Sequence, residues 1–433
     1  MYLVRLRRKR DVLKIKILGA GQQVGKAGVL VSYKGSNILL DYGVDVSGEE
    51  PDFPISVKPK VLDAIVLSHA HLDHSGALPL LYVSAEPRLY VNSLTMDIVE
   101  VLINDFLKIS KYYVPYEVIE LYAMKRNAIN INYREKIDLG KFSLKTYNAG
   151  HIQGSSLIEI DFDDHKVLYT GDFNLEKSCL LRGADIKPFK NADIVIMENT
   201  YSLYNHPNRE ENEKLFIDSL LEVLDNGGVV LIPSFAVGRS QEIMCVLAKY
   251  DVSYPIYLDG MARIISEFTL QYKEMIRNQR LFYKACSMVR KIKGWRSRKR
   301  AIKKPGIIIS PAGMLKGGAS VFYMEKVMDD PKNAVFFVSY QVESTPGRSV
   351  LQSGIFTSEK KSGIVKARVE WFDFSSHCGR NDLIDAIKAT RKDAKIILIH
   401  GEKEYSEIFK KYVEENLEKE VYLPSNGEEL TFQ

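Results

Sequence analysis

The run His69-Ala70-His71-Leu72-Asp73-His74 constrains this chain more than any other feature, because it sets four metal-capable side chains directly after the strand-like segment Ala64–Leu67. Histidines two apart on an extended turn can point at one ion, and the Asp and His directly after them can point at a second one nearby. Imidazole nitrogen and carboxylate oxygen, binding at about 2.0 to 2.2 Å, suit Zn²⁺. The 433 residues include only eight histidines, so three within six positions is a concentration that composition does not supply. Further candidate ligands stand at other strand ends beside glycine: Asp41 in Leu-Leu-Asp-Tyr-Gly, His151 in Ala-Gly-His-Ile-Gln-Gly-Ser and Asp172 in Tyr-Thr-Gly-Asp-Phe. Each of these alone reads more readily as a turn former or a helix cap than as a ligand.

The rhythm of apolar residues divides the chain. Up to Asn191 it reads as short strands with few helices: Leu13–Leu18, Gly28–Tyr33, Asn37–Leu40 and Ala64–Leu67, a helical pattern after Ser93, then strands again at Phe142–Tyr147, Leu157–Phe162 and Lys166–Tyr169. Beyond it, strands alternate with amphipathic helices: strand Ile194–Met197, helix Glu210–Leu224, strand Val229–Ile232, helix Arg239–Tyr250, strand Ile256–Leu258, helix Ala262–Ile276. Such alternation predicts βαβ units and a parallel sheet. At roughly 150 residues per domain, two or three domains are expected, with the second running from about Leu203 to Gly363.

Taken together, Asp41, the histidine run, His151 and Asp172 reproduce in order the motif series of the metallo-β-lactamase fold, an αββα sandwich with a two-metal site on one edge. Glu198 in Met-Glu-Asn-Thr-Tyr, His377 in Phe-Ser-Ser-His and His400 in Ile-Leu-Ile-His-Gly match the three extra motifs of the β-CASP nucleases. That subgroup carries an α/β domain inserted into the sandwich. Pro233-Ser-Phe-Ala-Val-Gly-Arg239-Ser-Gln-Glu242 and Ser310-Pro-Ala-Gly-Met-Leu-Lys316-Gly-Gly318 look like further signatures of the insert. The chain most resembles archaeal and bacterial relatives of the endonuclease subunit of the cleavage and polyadenylation specificity factor, and more distantly ribonuclease J. It departs from the usual pattern at Asn199 and Ser202, and at Cys378-Gly379, where many relatives place Ala or Thr and then Asp. His165 and His206 match no motif; His165 reads as a solvated turn residue, and His206 lies where the insert begins.

The resemblance implies an α/β fold: a metallo-β-lactamase sandwich over residues 1–202 and 364–433, with a parallel-sheet β-CASP domain over 203–363. It implies two zinc ions, one on His69, His71 and His151, the other on Asp73, His74 and His400, with Asp172 bridging and Asp41 orienting a ligand from behind. Asp73, Asp172, His377 and Glu198 would be catalytic, with His377, held by Glu198, contacting the phosphate and protonating the leaving 3′ oxygen. The products would carry a 5′-phosphate and a 3′-hydroxyl. DNA-repair members typically carry valine at the last motif and RNA-processing members histidine, so His400 points to single-stranded RNA as substrate. Endonuclease and 5′ to 3′ exonuclease share these motifs. A non-catalytic scaffold would have lost ligands that this chain keeps, and a small-molecule metallohydrolase would lack the insert and its motifs. With the first strand near Leu13, the KH domains that precede the nuclease in some archaeal relatives are expected to be absent.

Charge distribution agrees with a nucleic-acid substrate. The net charge is only +5, yet Ile276 to Lys304 holds twelve Lys or Arg and no acidic residue, with Phe282, Tyr283 and Trp295 interleaved. Cations that neutralise phosphates and rings that stack bases are what single strands require. Candidate contacts are Trp295, Arg296, Arg298, Lys299 and Arg300 here, Arg239 and Arg348 at predicted helix starts, Ser310 and Lys316 in the second signature, and the basic run Arg5–Arg10, which reads equally as a disordered end. No apolar run reaches the roughly 18 to 20 residues of a membrane span, and the start lacks the apolar stretch of an export signal. Four dispersed cysteines without a CxxC pair fit reduced thiols, hence a cytoplasmic protein without a membrane partner. A homodimer and a place in an RNA-processing complex are both compatible with the sequence, which decides neither.

Overall fold

A computed structural model describes residues 11–48, 50–110 and 114–433; the Arg5–Arg10 run lies outside them. In the strand Leu13–Gly19, Leu13, Ile15 and Ile17 are buried while Lys14 and Lys16 face outward, the two-residue alternation of a sheet with one face on a core. This strand belongs to a seven-stranded sheet ordered Glu429–Phe432, Leu13–Gly19, Gly28–Tyr33, Ser36–Leu40, Ala64–Val66, Leu89–Val91, Ala128–Asn130. A second seven-stranded sheet runs Glu420–Tyr422, Lys395–Ile399, Ile194–Glu198, Lys166–Tyr169, Ser156–Asp161, Ser143–Asn148, Lys136–Asp138.

The inner faces meet in one core, where Ile15, Val31, Ile38 and Val66 pack with Leu144, Ile160, Val167, Ile196 and Ile397. Helices Ser93–Ser110 and Val118–Arg126 cover the outer face of the first sheet through Ile98, Ile103, Phe106 and Leu121. Helices Arg380–Lys388 and Lys403–Leu417 cover the second through Leu383, Ile387, Phe409 and Val413. The expected αββα sandwich is thus observed, and both chain ends contribute to it.

The third sheet is all parallel, ordered Val289–Lys291, Ile256–Leu258, Gly306–Ser310, Val229–Pro233, Ala334–Phe337, Arg368–Trp371. Its strands are apolar on both sides because helices flank both faces. Val230, Ile232, Ile307 and Ile309 pack with Phe216, Val246 and Phe282, while Val229, Leu231 and Ile308 pack with Tyr323, Met324 and Val327. Its last strand lies past Gly363, so the division we propose extends the inserted unit to Trp371. The helix expected over Ala262–Ile276 stops at Gln271 and continues as a tight turn, Lys273–Met275. The helix breaks where Tyr272 turns to donate its hydroxyl to Asp97 Oδ2 at 2.7 Å, fastening the insert to the helix Ser93–Ser110. Among the described residues no helix is long and apolar enough to cross a membrane.

Candidate metal centre

The strand Ala64–Val66 delivers the histidine run into a loop closed by the short helical turn Leu72–Ser75. The segment after Asp41 pins that loop. Tyr42 N donates to His74 O at 2.8 Å, Val44 N to Leu72 O at 2.8 Å, and Ala27 N to Asp73 O at 2.7 Å. Gly43 sits so close beneath it that a Cβ there would stand 1.7 Å from Asp73 O, so no other residue fits. The glycine of Leu-Leu-Asp-Tyr-Gly is therefore part of the site.

The loop meets Asp41, His151, Asp172 and His400 from four other strand ends. His69 Nε2 and His151 Nε2 lie 3.2 and 3.1 Å from His71 Nδ1, and each is 3.6 Å from Asp172 Oδ2. Donors bound at about 2.0 to 2.1 Å around one tetrahedral ion stand about 3.3 Å apart, so these four fit a shared ion. The other Asp172 oxygen, Oδ1, lies 3.4 Å from both His74 Nε2 and His400 Nδ1, while Asp73 Oδ2 lies 3.3 Å from His400 Nε2 and 4.0 Å from His74 Nε2. His74 Nε2 and Asp172 Oδ1 are buried and have no hydrogen-bond partner among the described residues. Two buried polar atoms left open and facing one another are what a bound cation would satisfy.

Burial, reinforced by neighbouring histidines, pushes His69 and His151 well below the ordinary imidazole range, and His71 down to about 4. These rings are neutral at pH 7, the form that binds a metal. Burial opposes charge on Asp172 as well, but His400 and His74 outweigh it and hold the carboxylate ionised. Asp41 is fully buried and accepts four hydrogen bonds: from Ser68 N at 2.7 Å, Ser68 Oγ at 2.6 Å, Tyr169 OH at 2.8 Å and His74 Nδ1 at 2.7 Å. It fixes the His74 ring with Nε2 turned to the cluster. Asp41 and His400 both take left-handed backbone, with φ of 55° and 53°, uncommon for non-glycine residues.

His377 lies beside the first cluster, its ring 4.6 Å from that of His151. Its Nδ1 is 2.9 and 3.0 Å from the two oxygens of the buried Glu198, whose Oε1 also accepts Phe173 N at 3.0 Å. Burial lowers the affinity of His377 for a proton, yet Glu198 and Asp172 prevail and push its pKa up to about 9. The departures are accommodated away from this pair. Cys378 is buried in the core under the second sheet, and Gly379 N donates to Asp382 at 3.2 Å while a Cβ there would press on Asn205 and His206 at 3.3 Å. Asn199 donates to Ser406 Oγ at 2.6 Å.

The insert contributes from the carboxyl ends of its parallel strands, where ligands of such sheets usually bind. Phe235, after the strand Val229–Pro233, lies 6.5 Å from the His71 ring. Arg239 is buried, lining a cavity with Ser375 and Ser376, and its Nε has no hydrogen-bond partner among the described residues, while Arg348 pairs with Glu343 at 2.7 Å. Lys316 donates to Ser47 O at 2.8 Å, bridging the insert to the sandwich. Three sequence readings are revised. Ser310 is fully buried, with its hydroxyl donated to Pro311 O, and offers no surface to a ligand. The Arg298 guanidinium is taken by Asp259. His165 packs edge-on against Tyr33 at 5.1 Å, half-buried instead of solvated. Trp295, Arg296, Lys299 and Arg300 are exposed. His206 pairs with Asp373 at 2.7 Å, a contact that sequence reasoning missed.

Three family descriptions match the chain in succession: the metallo-beta-lactamase superfamily over residues 23–216, the Beta-Casp domain over 240–350, and the Zn-dependent metallo-hydrolase RNA specificity domain over 363–424. The chain is 41% identical to "RNase aCSPSF2" of Saccharolobus solfataricus over 96% of this chain and 85% of that protein. It is 36% identical to "Probable RNase MJ4" of Methanocaldococcus jannaschii over 93% of this chain and 96% of that one. A crystal structure of a protein of unknown function from Enterococcus faecalis shares the fold at a TM-score of 0.63 and 16% identity, covering 97% of this chain and all of that one.

Proposed function

The chain belongs to the Beta-Casp ribonucleases of the metallo-beta-lactamase superfamily, and from that premise we propose that it is a two-zinc phosphodiesterase that cuts single-stranded RNA internally, leaving 5′-phosphate and 3′-hydroxyl ends. One observation carries this reading: the two oxygens of Asp172 face two separate ligand clusters. His69, His71 and His151 would hold one zinc, Asp73, His74 and His400 the other, with Asp172 between them. Two zinc ions held there would supply Lewis acidity, activating a water and offsetting the charge that builds on a phosphodiester.

The remaining work falls to the chain itself. Asp41 and Tyr169 keep the second cluster's His74 oriented. His377, protonated at neutral pH and anchored through Nδ1 on Glu198, contacts the phosphate and gives a proton to the departing 3′ oxygen. Glu198, with both oxygens on Nδ1, keeps the imidazole in place. The family membership and the exposed cations of the insert favour RNA over a small ester.

Digestion of a circular single-stranded RNA by zinc-loaded protein tests the reading. Conversion of circles to linear products with 5′-phosphates is expected. Circles left intact beside a degraded 5′-monophosphorylated linear RNA would replace internal cutting with 5′ to 3′ exonuclease action.

A further inference from the structure

The helix Trp295–Ala301 follows the edge strand Val289–Lys291 of the parallel sheet, so it stands at the same carboxyl edge that brings Phe235 to His71. Arg298 anchors it. Its Nε lies 2.7 Å from Asp259 Oδ2 and its Nη2 3.1 Å from Oδ1, and the Tyr323 hydroxyl donates to the same carboxylate at 2.8 Å. Asp259 is buried at the end of the neighbouring strand Ile256–Leu258, so this charge is spent inside the fold. The anchor turns the other cations outward. Lys293, Arg296, Lys299 and Arg300 are exposed and make no ion pair among the described residues. Trp295 is 52% exposed, backed by Phe322 at 4.5 Å between ring centroids, with Lys299 Nζ 5.7 Å from its ring. A large ring held from behind, next to cations that no carboxylate neutralises, suits a base and its phosphates better than it suits water.

Resting on the ribonuclease reading above, we propose that RNA runs from the metal centre along the carboxyl edge of the inserted sheet to a second binding platform, where Trp295 stacks a base, Arg296, Lys299 and Arg300 hold phosphates, and Arg298 is a positioning residue that touches no RNA. The edge strand lies three strands from Val229–Pro233, whose end faces His71, and three spacings of about 4.8 Å make roughly 15 Å. That span corresponds to a few nucleotides of single strand. The platform therefore engages the substrate outside the cut site and favours RNA long enough to reach both.

The chain has two tryptophans, Trp295 and Trp371, so the Trp371→Phe protein reports on the platform alone. Titration with a non-hydrolysable oligouridine of about 12 nucleotides, within the footprint of single-strand binders, should quench its fluorescence. Trp295→Ala in the native background should weaken binding about 10-fold. Replacing Arg296, Lys299 and Arg300 together by Gln should lower the slope of log affinity against log salt by about 2, at about 0.7 per lost phosphate contact. Arg298→Lys keeps the charge but breaks the two-pronged pair; it should raise KM for RNA while leaving kcat nearly unchanged, as Asp259→Asn should. An unquenched Trp295 with an unchanged salt slope overturns the platform, and so does heparin binding equally tightly in competition without base-dependent quenching. Hydrolysis of bis(p-nitrophenyl) phosphate by the native protein reads the metal centre alone, so failure there strikes the catalytic reading and not the platform.

Discussion

The two ligand clusters are built from the same residue types and share Asp172, yet they differ in how the chain secures them. The first, His69, His71 and His151, stands on segments close in sequence within the sandwich, with rings held neutral by burial. The second joins Asp73 and His74 to His400, which arrives from the returning segment on strained backbone, and Asp73 leaves 31% of its side chain to solvent. Every member of the first cluster precedes the insert in the chain, whereas the second takes His400 from beyond it. Of the two proposed sites, the second is therefore the one that substitutions should empty first.

Among the described residues Asp172 turns one oxygen toward each cluster, so Asp172→Asn should erase the distinction between them. Elemental analysis should show zinc falling from about two ions per chain to one or fewer. Activity should drop by at least roughly 10³, since Lewis-acid stabilisation is worth several kcal/mol and each 1.36 kcal/mol is tenfold. Retention of two ions would break the bridging assignment. His400→Ala should sharpen the comparison, removing about one zinc, leaving the first cluster loaded, and lowering RNA cleavage by roughly 10³ on the same reasoning.

His377 lies beside the first cluster without belonging to it. His377→Ala should keep both zinc ions and RNA binding while turnover falls by roughly 10² to 10⁴. Glu198→Gln should resemble it and combine less than additively, because the pair acts as one unit. The sign of the pH dependence follows from the raised pKa: the proton that His377 donates is present at neutral pH and lost as pH rises through about 9, so turnover declines on the alkaline side. Cations bound nearby lower that value, which places the decline at or below about pH 9. A profile flat through pH 10 would remove His377 as the proton donor, and loss of zinc from His377→Ala would make it a ligand instead.

The histidine run was legible because its spacing alone makes a multi-ligand loop, and the alternation after Asn191 was legible because periodicity survives without tertiary context. What spacing and periodicity could not carry was pairing across distance, which the family resemblance alone supplied for His377 with Glu198 and for Asp41 behind a ligand. Glu198 and His377 are 179 positions apart and Asp41 and His74 are 33 apart, and only the closing of strand ends at one edge brings them together. The same limit hid Arg298: a basic run reads as uniform surface until Asp259, 39 residues earlier, is seen to take one of its members. Ser310 misled for a related reason, since a strand-end serine in a recognisable motif can as well face the core.

The smallest effect expected belongs to Asp41, which touches no substrate and acts through His74. Asp41→Asn keeps the shape but replaces one accepting oxygen by an amide nitrogen. At least one of the four hydrogen bonds into Asp41, those of Ser68 N, Ser68 Oγ, Tyr169 OH and His74 Nδ1, then meets a donor. Where the amide nitrogen takes the place of Oδ2, the His74 ring loses the partner that fixes which nitrogen faces Asp172, and a loss of this kind weakens metal binding about 10 to 100-fold. The first cluster reaches Asp41 only through Ser68, whose Oγ lies 3.0 Å from His69 Nδ1 and donates to Asp41; His71 and His151 make no hydrogen bond to Asp41 among the described residues, and His151 Nδ1 donates to Ser376 O at 2.9 Å. Chelator titration should therefore separate into two steps in the Asp41→Asn protein, the weaker ion leaving early with the activity and the stronger one leaving as in the native protein. Equal weakening of both ions would show that Asp41 supports the loop as a whole, through Ser68, and would remove the asymmetry from which this prediction starts.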